Sequence, residues 1–102
     1  MSWGAENVLG TNWRVVDDDG DIIVLNFNSN GRCTYFKELS RSGNQGKIFN
    51  NCRWTQNDSV LAYNFNNHFK SCVTIIEGAT MGGFCVTNKY KSGEHVRGNK
   101  VN

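Results

Sequence analysis

The sequence predicts an all-β domain: eight antiparallel strands in an up-and-down meander that closes into a small barrel. Three observations carry this expectation. Short apolar runs alternate with polar residues and are separated by turn chemistry about every dozen residues. The chain has eleven glycines, many asparagines and no proline, so its turns rest on residues that tolerate a positive φ. The four cysteines are placed symmetrically about turn-like segments, with Cys33 and Cys52 equidistant from Ser40-Arg41-Ser42-Gly43-Asn44-Gln45, and Cys72 and Cys85 equidistant from Gly78-Ala79. Each pair can therefore face across one hairpin.

The strands are expected at 11–17, 21–28, 32–39, 47–55, 59–65, 69–77, 80–90 and 94–101. Asp18-Asp19-Gly20 closes the first hairpin with Asp17 facing Asp21, which sets Val15 against Ile23 and Trp13 against Leu25. A type I turn with a glycine bulge at Asn30-Gly31 sets Asn28 against Arg32, so Phe27 faces Cys33 and Leu25 faces Tyr35. Cys33 opposite Cys52 carries Trp54 onto the same face. A tight turn at Asn57-Asp58 then sets Trp54 against Leu61 and Cys52 against Tyr63. The apolar set Trp13, Val15, Ile23, Leu25, Phe27, Cys33, Tyr35, Cys52, Trp54, Leu61, Tyr63 and Phe65 thus points to one side. The remaining hairpins turn at Asn66-Asn67-His68, at Gly78-Ala79 and at Ser92-Gly93. A sheet with one continuous apolar face is hidden most economically by curling into a closed barrel. A two-sheet sandwich is the alternative, disfavoured because the connections are short.

A length of 102 residues suits a single core. We expect an N-terminal arm over 1–10 and one barrel domain over 11–102. The net charge of +2, with scattered Lys and Arg, excludes the basic footprint of a nucleic-acid binder. No run approaches membrane-spanning length, and the N-terminal residues lack signal-peptide character. The expectation is a soluble protein, cytoplasmic if Met1 is the native start.

The segments Leu9-Gly10-Thr11-Asn12-Trp13-Arg14-Val15-Val16, Leu25-Asn26-Phe27-Asn28-Ser29-Asn30-Gly31 and Trp54-Thr55-Gln56-Asn57-Asp58-Ser59-Val60-Leu61 resemble the small bacterial lipocalin-like domains of the calycin group. Gly78-Ala79-Thr80-Met81-Gly82-Gly83 resembles their second-last hairpin. Those domains place a Gly-x-Trp near the first strand, whereas Gly10-Thr11-Asn12-Trp13 is one residue longer. The resemblance implies a barrel that binds small molecules. Avidin and fatty-acid-binding proteins share that architecture, but no residue set here carries over their ligand sites.

Catalytic chemistry has no constellation behind it. His68 and His95 fall in a turn and at a strand start, outside any nucleophile motif. Asp17, Asp18, Asp19 and Asp21 cluster at one hairpin and read as a solvated acidic tip, since their spacing does not match a calcium loop. The cysteines lack a Cys-x-x-Cys, so no metal is expected, and no cofactor. Their redox state stays open between reduced core thiols and two cross-strand disulfides, Cys33 to Cys52 and Cys72 to Cys85.

Trp13, Tyr35, Trp54 and Tyr63, apolar bodies with polar tips, are the candidate ligand-binding residues of the interior. They equally suit a solid core. An outer set of Val16, Ile22, Val24, Phe36, Phe49 and Ile76 is unusually apolar for a wet wall. Within it Ile22, Val24, Phe36 and Phe49 form the candidate interface, because Val24 faces Phe36 and Phe36 is expected to face Phe49. The expected function is a non-enzymatic module that holds a small apolar or amphipathic ligand. The alternative is a solid-core interaction protein that homodimerises, or binds a partner protein, through the outer wall.

Overall fold

The computed structural model describes residues 7–40, 43, 45–88 and 93–101. Its strands are β1 (Asn12–Asp17), β2 (Ile22–Phe27), β3 (Arg32–Leu39), β4 (Ile48–Asn57), β5 (Val60–Phe65), β6 (Lys70–Glu77), β7 (Thr80–Thr87) and β8 (Gly93–Lys100). Each strand pairs antiparallel with the next, and β1 pairs with β8 from Trp13 against Lys100 to Asp17 against Val96. The sheet is therefore a closed barrel without free edges, which excludes the sandwich. Arg41, Ser42, Asn44, Tyr90, Ser92 and the first six residues, on which parts of the expected loops, seventh strand and arm fall, lie outside the described residues. Among the described residues no helix is long and apolar enough to cross a membrane.

The first two hairpins have the register expected from the sequence. Val15 pairs with Ile23, Trp13 with Leu25, Leu25 with Tyr35 and Phe27 with Cys33. Asn30 and Gly31 have φ of 61° and 69°, so both central residues are left-handed, as in a type I′ turn, in place of the type I turn expected. An Asn-Gly pair tolerates that conformation, and its twist suits the flanking strands.

Two pairings depart from the expectation. In the β4 to β5 hairpin Asn57 pairs with Val60, so the turn is Asp58-Ser59, with Asp58 at φ 53°. Trp54 consequently faces Tyr63, not Leu61, and Cys52 faces Phe65, not Tyr63. The slip is two residues, so every side chain keeps its face. Between β3 and β4, Cys33 faces Cys52, but the ladder then shifts and Tyr35 faces Phe49 while Phe36 faces Ile48. Three residue steps on β4 span two on β3, which is a β-bulge. The extra residue turns Phe49 inward, away from Phe36.

Both cysteine pairs are disulfides, Cys33 to Cys52 and Cys72 to Cys85, each directly opposed in its ladder and buried inside the barrel. Around them pack Trp13, Val15, Leu25, Phe27, Leu61, Tyr63, Ile76, Met81 and Val96. Ile76 belongs to this core and not to the outer wall, because Cys72 already fixes the inward parity of β6. The one end of the barrel is plugged by Val8, only 2% exposed, whose amide donates to Gln56 Oε1 at 2.9 Å. Gly10, left-handed at φ 80°, turns the chain over that end and donates to the Phe27 carbonyl.

Candidate functional site

Among the described residues, the opposite end of the barrel is open. Strand alternation continues past the apolar core by one inward step at this end, and on five strands that step reaches a charge. Val15 leads to Asp17, Ile23 to Asp21, Tyr35 to Lys37, Cys72 to Lys70 and Val96 to Glu94. Inside this ring lies a cavity of about 320 Å³ with an apolar wall of Ile23, Tyr35, Phe49, Phe65 and Phe69. Asp17, Asp21, Lys37, Asn51, Asn66 and Lys70 supply its polar lining.

Aromatic rings run the length of the barrel to this mouth. Trp54 meets Phe27 edge-on at 5.5 Å, and Phe27 meets Tyr63 at 6.3 Å. Tyr63 then meets Phe65 at 5.6 Å, and Phe65 meets Tyr35 at 4.7 Å. Tyr35 finally stacks on Phe49 with centroids 5.1 Å apart, a pairing that the β-bulge alone makes possible. Lys37 and Lys47 hold their ammonium groups 5.6 and 5.4 Å from the Phe49 centroid.

The rim is built under strain. Asn66, Asn67 and His68 have φ of 50°, 53° and 68°, three successive left-handed residues that are not glycine. Such conformations each cost about 1 to 3 kcal/mol and concentrate at functional positions. They swing Phe69 and Lys70 to the mouth, while the Asn66 amide anchors the loop on the Asn51 carbonyl at 2.9 Å.

Electrostatically the floor is a carboxylate cluster around one ammonium. Lys70 Nζ lies 2.6 Å from Glu94 Oε1 and 3.9 Å from Asp17 Oδ2. Asp17 Oδ1 accepts the backbone N–H groups of Asp19 and Asp21 at 2.9 and 3.1 Å. Burial, followed by the charge of Glu94, pushes the Asp17 pKa up, against the pull of Lys70. Asp17 is thus half-buried and structural, unlike the solvated tip expected from the sequence. Carboxylate oxygens of Asp17, Asp19 and Glu94 lie within 4.8 Å of one another, and Lys70 already supplies a cation among them.

Of the four expected ligand residues, Tyr35 lines the mouth and Tyr63 lines a smaller void beneath it. Burial raises the pKa of both phenols. Trp13 and Trp54 lie at the closed end with satisfied indoles: Trp13 Nε1 donates to Thr11 Oγ1 at 2.9 Å, and Trp54 Nε1 to the Asn28 and Arg32 carbonyls at 2.9 and 2.8 Å. The structure therefore brings Tyr35 and Phe49 together at the mouth, sets Tyr63, which pairs with Trp54, between them and the closed end, and leaves both tryptophans out of the mouth lining. The charged ring is not among the residues expected from the sequence, and the signal for it is the inward alternation extended one step at the same end of five strands.

The outer wall departs from the expected interface at Phe49, while Val24 faces Phe36 as expected. Ile22, Val24 and Phe36 are partly exposed, and the Arg14 to Glu38 ion pair, 2.8 Å, spans the β2 strand that carries Ile22 and Val24. Phe49 has left this wall for the mouth. Beside the three that remain, Leu39, paired with Ile22, is 49% exposed and Ile48, paired with Phe36, is 72% exposed, and a further apolar surface lies on β5, β6 and β7, where Val60, Val73, Ile75, Phe84 and Val86 are 41 to 53% exposed. Val73 pairs with Phe84, and Val60 with Ile75, so these side chains are contiguous.

His95 is exposed, with its amide bonded to Asp18 Oδ2 at 2.8 Å and its ring edge-on to Phe84. No family model matches this chain, and no curated protein or solved structure matches it.

Proposed function

We propose that this protein is a non-enzymatic binding module that takes a small amphipathic molecule at the open mouth of a lipocalin-like barrel. The observation that carries this reading is the cavity of about 320 Å³ walled by Tyr35, Phe49, Phe65 and Phe69 and ringed by charge. Its size falls at the lower end of small-molecule sites, and its mixture of apolar wall and few polar groups suits an oriented ligand. The core below is packed with apolar side chains and both disulfides, so the mouth is the roomier part of the barrel interior, which supports this reading.

The fluorescence of N-phenyl-1-naphthylamine, a neutral apolar probe, tests this. The wild type should enhance and blue-shift its emission, and Tyr35→Ala and Phe69→Ala should each weaken binding about tenfold by removing ring contacts. Enhancement that survives both substitutions would place the probe elsewhere.

A second reading, self-association, is favoured by the contiguous Val60, Val73, Ile75, Phe84 and Val86 surface. Sedimentation velocity should then show a dimer that Phe84→Asp dissociates. A wild-type monomer at high concentration removes this reading and leaves the first untouched.

A further inference from the structure

Below the main cavity lies a void of about 30 Å³ that shares Asp17, Asp21, Ile23, Phe65 and Lys70 with it, so the mouth narrows into this void. That is room for one small polar group. Tyr63 lines the void and is 2% exposed, and its hydroxyl has no hydrogen-bond partner. The Cys72 to Cys85 disulfide, Val15 and Val96 also line it, and these groups bond a hydroxyl weakly or not at all. Buried hydroxyl groups are almost always bonded, so an orphan beneath an open cavity points to a group brought in from outside.

The chemistry of that group follows from what it meets. Burial raises the Tyr63 pKa, so the phenol keeps its proton and offers an O–H that wants an acceptor. A charged head of either sign meets a like charge in the void. A carboxylate would lie beside that of Asp17, which burial already pushes toward its neutral form. An ammonium would lie beside that of Lys70, whose own counter-ion is Glu94 at 2.6 Å. A buried charge is costly unless it gains a partner of its own, whereas an uncharged oxygen is not. A carbonyl oxygen accepts from Tyr63 and brings no donor of its own to be satisfied.

We propose that the mouth binds a small neutral carbonyl compound, its oxygen lowered into the void to accept from the Tyr63 hydroxyl and its apolar body held by Tyr35, Phe65 and Phe69. This rests on the mouth being a ligand site, as proposed above, and adds the chemical class of the ligand.

NMR titration of the full chain with acetophenone, α-methylstyrene, benzoate and benzamidinium compares four heads on one ring: a carbonyl, the same shape with a methylene in place of the oxygen, an anion and a cation. Acetophenone should shift mouth residues and bind at least about tenfold tighter than either charged probe. Tyr63→Phe, which deletes one atom, should weaken acetophenone about fivefold or more and leave α-methylstyrene unchanged or tighter. The backbone spectrum reports folding of the variant. If it is misfolded, the carbonyl stretch of isotope-labelled acetophenone bound to the wild type decides: a frequency below its value in hexane supports the hydrogen bond, and the hexane value overturns it. Equal effects of Tyr63→Phe on acetophenone and α-methylstyrene overturn the carbonyl assignment, leaving solvent as the partner of the hydroxyl and the cavity as a ligand site. Equal or tighter binding of benzoate or benzamidinium at the mouth overturns it as well. No shift at the mouth with any of the four probes overturns both.

Discussion

Tyr63 is where local chemistry is most exposed to measurement. Burial, and then the charge of Glu94, raises its pKa above the ordinary tyrosine value. The folded state therefore keeps a proton that the unfolded chain releases above about pH 10. The stability tied to this proton is fully present below that pH and is lost as pH rises toward the folded pKa. Urea midpoints should accordingly fall on the alkaline side, and less steeply in Tyr63→Phe. At neutral pH the substitution should not destabilise, because an unpaired buried hydroxyl costs about 1 to 3 kcal/mol, which phenylalanine avoids. A neutral-pH loss above about 1 kcal/mol would show that the hydroxyl has a partner within the protein. Residue roles of this kind were only half legible in the sequence. Alternation placed Tyr35 and Tyr63 inside, but it could not say which end of the barrel would be plugged by Val8 and which left open.

Among the elements, the core pairings of hairpins one and two, Trp13 with Leu25, Val15 with Ile23, Leu25 with Tyr35 and Phe27 with Cys33, were readable, while the type of the Asn30-Gly31 turn and the register shift between Ile22 and Ile23 were not. Nor was the β3 to β4 pair. Its bulge inserts one residue without a glycine to announce it, and that residue moves Phe49 from the outer wall to the mouth. The β4 to β5 turn is ambiguous in the sequence because Asn57-Asp58 and Asp58-Ser59 both suit a turn, and the two-residue slip between them preserves the face of every side chain. The cysteine symmetry survived both problems. Each disulfide constrains the unfolded chain, closing separations of 19 and 13 residues. In the loop-entropy account each stabilises by about 3 kcal/mol. Replacing Cys33 and Cys52 together by alanine should lower the unfolding free energy by that amount in urea titrations, and the Cys72 and Cys85 pair by slightly less. Unchanged midpoints would mean that the bridges leave the unfolded ensemble as it was.

Across the whole molecule, the barrel follows from one apolar face that has to be hidden, and closure of β1 on β8 hides it while removing both edges. The two ends then diverge. At one, Val8, Trp13, Phe27 and Trp54 fill the section with satisfied polar tips; at the other, the same inward positions carry Asp17, Asp21, Lys37, Lys70 and Glu94. This asymmetry makes the barrel a cup. Its binding at the cup is tested most directly by two-dimensional NMR of the isotopically labelled chain titrated with N-phenyl-1-naphthylamine. Saturable shifts confined to residues around Ile23, Tyr35, Phe49, Phe65 and Phe69 are expected, with β5 to β7 outer-wall positions such as Val73 and Phe84 unmoved. No saturable shifts, or shifts confined to that outer wall, would contradict the mouth as the binding site.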